Sequence, residues 1–386
     1  MINAKFKVKK GPIQTNFLSV ADAEYFCSSD PEIEIKGDVI GDQTSFKVRL
    51  ADNLLNYVLV ISGINYTYGF PLDRARGLSL ETRLKLYSSG LKKEWWFLAA
   101  SILASEVDTL DELLDILTEL ESFLHDGEKS TRIRLAFTED EYEKIYNVYP
   151  EVGTWQQYID GIKKRLNRDS FRILRNALNE CYSEFYKKYW DKRFREMEKL
   201  SEKLKKATDI LVPIKSLEKI TGLQFENETL EIYPIDIFRE GGGIYGAYPN
   251  RITCCSSECT IVSIYLDIAH EAGHLIIKDW DIVFNEEIRR IASELDYSNV
   301  FGLANILEEH IVALIQLKVD MMYIGRKRIT HGFMNNQIFK IAEETWNEVE
   351  KTYSKFDFNA FIEEFLEKII KNRSAKEVLI QMIRNR

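Results

Sequence analysis

The sequence predicts an α+β fold in which helices predominate. Apolar residues recur at helical spacing over long ranges, namely 79–125, 155–209, 258–278 and 299–323. Much shorter segments have the alternation or the apolar runs of strands, namely 32–36, 45–50, 229–238 and 244–255. The helix 258–278 is apolar on nearly every side, which is typical of a buried helix. We therefore expect a small sheet packed against many helices.

The length of the chain favours two domains. It has 386 residues, which is more than a single hydrophobic core usually accommodates. Pro150 and Gly153 mark a linker, so we predict an N-terminal domain, 1–150, that is α/β or mostly helical and has no assigned role. The second domain, 151–386, would comprise a long helix, a core segment and C-terminal helices, with the long helix at 155–209 and the core at 211–325.

Composition excludes several classes of protein. The formal net charge of −9 disfavours a nucleic-acid partner, which would require a basic face. No secretory signal and no run of about 18 apolar residues is visible, so we expect a cytoplasmic protein with no membrane partner. The five cysteines are an odd number, which argues against a secreted disulfide scaffold.

The most informative motif is His270-Glu271-Ala272-Gly273-His274, which reads H-E-x-x-H. Residues four apart lie on one face of a helix, so His270 and His274 can offer imidazole nitrogens to one zinc ion. Glu271 can then take a proton from a zinc-activated water as the general base. The alternative is that both histidines are core residues bonded to backbone or carboxylate groups. Because histidine and glutamate in a buried helix need partners, we favour the metal site.

A catalytic zinc usually takes three protein ligands, so a third must lie elsewhere in the chain. The extended pattern H-E-x-x-H-x-x-G-x-x-H fails, because the residues after His274 contain neither the glycine nor the histidine. The candidates are Glu308, Glu309 and His310, on the helix 299–323. His310 falls on the apolar stripe of that helix and is expected in the core, while Glu308 lies furthest round and is expected to be solvated. Glu309 lies on the flank between them with Gln316, and we place it first.

Residues 211–325 resemble the catalytic core of the gluzincin metallopeptidases. In that clan an H-E-x-x-H helix is followed by a helix that carries a glutamate ligand, and the preceding strand is an edge that pairs with an extended peptide. The resemblance implies a zincin-like domain in which 244–255 is the edge strand, His270 and His274 bind zinc, and Glu309 is the third ligand.

Two accessory roles remain open in the sequence. Asp267, one turn before His270, either orients a ligand histidine or lies on a wet edge of the helix. The oxyanion that develops during peptide hydrolysis needs a donor besides the metal, and His331, Tyr323 and Tyr297 are the candidates.

The function predicted from these residues is a zinc-dependent peptidase acting on a peptide or protein substrate. The alternative is a non-catalytic regulatory protein that binds metal or peptide through a peptidase-like site. A third reading is a structural protein whose histidines are core residues. The sequence leaves the oligomeric state and the substrate open.

Overall fold

The structure of the protein is a computed structural model. It describes residues 5–7, 34–36, 41–65, 75–128, 130–135, 139–148, 150, 153–225, 227, 229–238, 250–256, 261–277, 286–297, 299–323, 336–353 and 355–384. Within these ranges the chain is predominantly helical with a small parallel sheet, which confirms the predicted α+β, mostly helical class. No helix in the described ranges is both long and apolar enough to cross a membrane.

Helices account for most of the described residues in the first half of the chain. Their bounds are α1 (Leu50–Ile61), α2 (Leu80–Ser88), α3 (Leu91–Ala104), α4 (Leu110–Asp126), α5 (Glu139–Val148), α6 (Trp155–Arg165), α7 (Arg168–Cys181) and α8 (Lys187–Leu211). A π-helical segment, Tyr182–Tyr186, joins α7 to α8. Local capping explains several starts: Thr109 and Glu112 bond reciprocally in a capping box at α4, and Thr154 and Gln157 do the same at α6.

The single long helix predicted over 155–209 is wrong. Leu166 leaves the helical conformation at the end of α6, with φ −97° and ψ 79°. The side chain of Asn167 then accepts a hydrogen bond from the backbone N–H of Ser170 and begins α7. Asparagine is a strong N-cap residue because its side chain satisfies a backbone donor that the first turn leaves open. The apolar periodicity continues across this break, so the periodicity does not reveal where α6 ends and α7 begins.

The second half of the chain supplies two strands of the parallel sheet and the remaining described helices. The helices are α9 (Pro213–Thr221), α10 (Ile261–Ile277), α11 (Glu286–Glu294), α12 (Val300–Tyr323), α13 (Gln337–Thr352), α14 (Phe358–Lys371) and α15 (Arg373–Arg384). Gly222 ends α9 in the left-handed region, with φ +75°, where a residue with a Cβ would be strained. The helices predicted over 258–278 and 299–323 are confirmed, and they correspond to α10 and α12.

The sheet brings together segments from both halves of the chain. Its strands are β3 (Thr44–Phe46), β4 (Leu230–Ile235) and β5 (Arg251–Cys255), all parallel and in that order. The register pairs Thr44 with Leu230, and Glu231 with Arg251. A separate antiparallel pair joins β1 (Lys5–Lys7) to β2 (Glu34–Lys36). Among the described strands, β5 is an outer strand of the sheet and lies directly before α10 in the chain.

Two predicted strands differ from the structure in length. The segment predicted as a strand over 45–50 forms β3 only to Phe46, because α1 begins at Leu50. The apolar run 54–61 belongs to this helix, which is buried along nearly its whole length. The strand predicted over 244–255 is β5 from Arg251 onward, and residues 244–249 lie outside the described ranges.

Contacts cross the boundary that was predicted near residue 150. Besides the pairing of β3 with β4, Arg251 donates a hydrogen bond to the carbonyl of Ala104 at 2.7 Å. The guanidinium of Arg49 lies 4.2 Å above the ring of Tyr233. One hydrophobic core contains residues from both predicted domains. The two parts thus share a sheet and a core, and the position of a domain boundary stays a prediction.

Candidate metal centre

The candidate centre lies between α10 and α12, which pack side by side in opposite directions. Gly273 makes this close approach feasible: a Cβ added there would lie 3.1 Å from Cγ1 of Val312 on α12. A helical glycine costs about 1 kcal/mol relative to alanine, so its presence is explained by the contact.

The structure brings His270, His274 and Glu309 together. The Nε2 atom of His270 lies 3.5 Å from one carboxylate oxygen of Glu309, and the Nε2 atom of His274 lies 3.8 Å from the other. One donor atom from each of the three residues falls within 4.8 Å of the other two. Both imidazoles are buried, whereas the side chain of Glu309 is 35% exposed. The cluster is therefore accessible from the side of Glu309.

The opposite nitrogen of each imidazole also has a partner on α12. The Nδ1–H of His274 donates to Oε1 of Glu308 at 2.5 Å, and the Nδ1–H of His270 donates to Oε1 of Gln316 at 3.2 Å. These bonds fix the orientation of both rings and leave the Nε2 lone pairs directed at the space beside Glu309.

Glu271 lies in the same buried seam. The pKa of its carboxyl group is raised to about 8, chiefly by burial; the charge of His270 acts to lower it, and the negative charges of Glu309 and Asp267 act to raise it. A carboxyl group with such a pKa can hold a proton near neutral pH and release it again, which is the requirement for a general base that later acts as an acid.

No family model matches the chain, and no curated protein or solved structure matches it either.

Donor chemistry provides a test of whether a metal would fit. Two imidazole nitrogens and one carboxylate form a donor set that zinc accepts, with bonds of about 2.0–2.2 Å. At a tetrahedral angle, such bonds place ligand atoms roughly 3.3–3.5 Å apart. The distances from Glu309 to the two Nε2 atoms, 3.5 and 3.8 Å, involve different oxygens of its carboxylate, and a single donor atom from each residue lies within 4.8 Å of the other two. The donor types therefore suit a cation such as zinc, and the spacing of the three side chains is somewhat wider than that of bound ligands.

Glu308 was predicted to be solvated, and this is wrong. Its side chain is 1% exposed and bonds to His274, because α12 turns that position toward α10 and away from solvent. His310 is the core residue that was expected: its Nδ1–H donates to the carbonyl of Ile306 at 2.7 Å, and its Nε2 accepts from Asn336 at 2.9 Å. Both ring nitrogens of His310 thus have hydrogen-bond partners outside the cluster of His270, His274 and Glu309.

The roles of Gln316 and Glu308 as partners of the histidines were missed from the sequence. Gln316 follows Glu309 by seven residues, nearly two full turns, so both lie on one face of α12. That spacing is the signal that could have identified Gln316. For Glu308 the available signal is weaker, since it is only adjacent to the ligand candidate.

The accessory residues are placed in part. Asp267 is buried, so it does not lie on a wet edge, and its charge acts on Glu271. Tyr297 follows α11 and packs half-buried against the hydrophobic core. Tyr323 ends α12, but its side chain and the whole of His331 lie outside the described residues. The donor for the oxyanion stays a prediction.

Proposed function

We propose that this protein is a zinc-dependent peptidase with a gluzincin-like, zincin-type core. His270, His274 and Glu309 would be the zinc ligands, and Glu271 the general base. The observation that supports this most directly is the orientation of the two imidazoles: each Nε2 faces the Glu309 carboxylate, and each Nδ1 donates to an oxygen on α12. A pair of core histidines would not need that convergence.

A zinc ion bound by these residues supplies Lewis acidity toward the peptide carbonyl and lowers the pKa of a water molecule. The role of the surrounding protein residues is to position the ligands. Glu308 and Gln316 hold the imidazoles in the tautomer that keeps Nε2 unprotonated. Glu309, which is partly exposed, closes the ligand set on the side from which a substrate would approach.

Glu271 moves the proton. Its carboxylate takes a proton from the attacking water and passes it to the nitrogen of the leaving amine, so that the peptide bond breaks into a carboxylate and an amine. The burial that raises the pKa of this side chain stabilises its protonated form between the two transfers.

The test is metal analysis combined with hydrolysis of a peptide library. The wild-type protein should bind about one equivalent of zinc and cleave peptides. Glu271→Gln should bind zinc equally well but hydrolyse at least about 100-fold more slowly, because only proton transfer is removed. Glu309→Ala should lose zinc affinity, whereas His310→Asn, on the same helix, should retain it.

Other results would contradict the proposal. Hydrolysis that survives in Glu271→Gln would exclude its role as the base. Binding of zinc or peptide without hydrolysis, lost in His270→Ala but not in Glu271→Gln, would identify a regulatory binding protein. A purified protein that takes up no zinc would leave the histidines as core residues.

A further inference from the structure

The solvent-facing side of α8 carries a straight row of basic side chains. Six exposed cations recur along this helix at intervals of three or four residues, and we call them the α8 basic face: Lys188, Lys192, Arg195, Lys199, Lys203 and Lys206. This spacing keeps them on one side of an α-helix. Because the helix rises about 1.5 Å per residue, neighbouring cations lie roughly 4.5–6 Å apart along its axis, and the row spans about 27 Å.

The opposite side of α8 is fixed in the core of the protein. Trp190, Met197, Leu204 and Leu211 follow one another at helical spacing on that side, and all four are buried. They lie about half a turn away from the cations. The helix is therefore held along its length with the basic face directed to solvent.

None of the six cations forms an ion pair within the part of the chain that the structure describes. The ion pairs of α8 use Arg193 and Lys205, which lie off the face. Arg193 pairs with Glu196 and with Asp236, and Lys205 pairs with Asp209 at 2.5 Å. The charges of the basic face are thus left available to an anion from outside.

The cations of the basic face repel one another. Like charges three or four residues apart destabilise a helix, and every successive pair from Lys188 to Lys206 has this spacing. The exposed acidic residues Asp191, Glu198 and Glu202 lie along one edge of the face, so they offset this repulsion only in part. A bound polyanion would offset the rest.

The composition of the face favours phosphate among the possible polyanions. Protein interfaces are poor in lysine and are anchored by aromatic or aliphatic side chains, and helices that lie on membranes insert an apolar flank. Five of the six cations are lysines, and no large hydrophobic residue that is exposed in the described ranges lies on α8. Lysine binds phosphate as a point charge, whereas arginine is preferred where a carboxylate is held in fixed geometry.

The negative charge of the whole chain acts weakly at this distance scale. The formal net charge is −9, but at about 0.1 M salt charges more than roughly 10 Å apart are largely screened. A ligand on the basic face therefore experiences chiefly the six cations and the few acids beside them. The net charge, which disfavours a nucleic-acid partner, is an average that does not reveal a local basic face.

We propose that the α8 basic face binds the phosphate backbone of a nucleic acid without reading its sequence. The aromatic residues of α8 are buried or half-buried, so they do not provide the exposed platform on which bases stack. The contact is electrostatic and independent of the metal centre.

Fluorescence anisotropy of the full-length protein with a labelled oligothymidylate, and with a labelled duplex, tests the proposal. Six phosphate contacts predict a slope of about −4 for the logarithm of the single-strand affinity against the logarithm of salt concentration. The affinity should therefore fall about 300-fold between about 50 and 200 mM salt. A chelator should leave binding unchanged, because no metal takes part.

A matched pair of variants separates the basic face from net charge. Lys192→Gln/Lys199→Gln should lower the affinity at low salt by about 50-fold and reduce the slope to about −3, since two phosphate contacts are lost. Lys340→Gln/Lys351→Gln, at exposed positions on α13, changes the net charge equally and should leave both quantities unchanged. Circular dichroism verifies that both variants are folded.

Binding of either the single strand or the duplex with this salt dependence supports the proposal. Absence of binding to both at low salt overturns it. An equal loss of affinity in the two variants also overturns it, because net charge alone would then determine binding. Binding of anionic lipid vesicles or of polyglutamate, but of neither oligonucleotide, would assign the face to a membrane or to an acidic protein instead.

Discussion

The two histidines of the candidate centre differ in what holds their Nδ1 atoms. His274 donates to a carboxylate, Glu308, which is almost completely buried, whereas His270 donates to the amide oxygen of Gln316 over a longer distance. A carboxylate partner makes an imidazole a stronger metal ligand than a neutral amide does. His274 should therefore contribute more to metal affinity than His270.

Replacement of Glu308 tests this residue-scale difference. Glu308→Gln keeps a hydrogen-bond acceptor and should weaken zinc binding by about 10-fold, whereas Glu308→Ala removes the acceptor and should weaken it by about 100-fold. Competition with a chelator at fixed pH measures the affinity directly. Glu344→Ala, on the exposed face of α13, is the control. Unchanged affinity in Glu308→Ala would show that the bond does not position His274.

At the scale of elements, the seam between α10 and α12 determines where the candidate ligands His270, His274 and Glu309 meet. Gly273 and Val312 are in contact there, and both helices are buried along the seam. Valine has one preferred rotamer in a helix, so it cannot turn away from an added methyl group. A larger residue at position 273 must therefore move the helices apart by a few tenths of an ångström.

A double-mutant cycle measures this contact. Gly273→Ala should lower the free energy of unfolding by about 1 kcal/mol despite the better helix propensity of alanine, because of crowding against Val312. In Val312→Ala the added methyl group has room, so the double variant should be more stable than the sum of the single effects by about 1 kcal/mol. Urea denaturation provides the values. Strict additivity would show that the helices accommodate the methyl group without strain.

Element positions were predicted well where the periodicity is long and local. The helices around His270 and Glu309 appear within a few residues of their expected bounds, because regular apolar spacing extends over nearly the whole length of each. The break at Asn167 and the start of α1 at Leu50 were not predicted. At each of these two positions the apolar residues continue from one element into the next without a change in spacing. The spacing alone therefore does not show where one element ends and the next begins.

At the scale of the whole molecule, distant parts of the chain are joined near the sheet. Asp42, just before β3, accepts a hydrogen bond at 3.2 Å from the backbone N–H of Ile214 in the first turn of α9. Burial raises the pKa of Asp42 to about 6, although hydrogen bonds to backbone groups and the charge of Lys215 act in the opposite direction. Because the pKa of Asp42 differs between the folded and unfolded states, the free energy of unfolding depends on pH.

The sign of that dependence follows from linkage. The folded protein binds a proton at Asp42 more tightly than the unfolded chain does, whose ordinary pKa is 3.8. The stabilising contribution is thus complete below pH 3.8 and is lost as the pH rises to about 6, by about 3 kcal/mol in total. Asp42→Asn cannot ionise, so its free energy of unfolding relative to wild type should increase across that interval and stay constant above it.

Denaturation of the wild type and of Asp42→Asn at several pH values measures this difference. Asp111→Asn, at an exposed position on α4, is the control and should follow the wild-type curve. Parallel curves for wild type and Asp42→Asn would mean that the carboxyl group titrates alike in the folded and unfolded states.

The motif helix, its buried character and the placement of both histidines on one face follow from the amino-acid sequence, since these properties depend on the local helical period. Which of Glu308, Glu309 and His310 faces both Nε2 atoms is visible only in the tertiary structure. Their roles depend on the rotation of α12 about its own axis relative to α10, which long-range packing determines. That rotation directs Glu309 at both Nε2 atoms, turns Glu308 to Nδ1 of His274, and leaves His310 in the core.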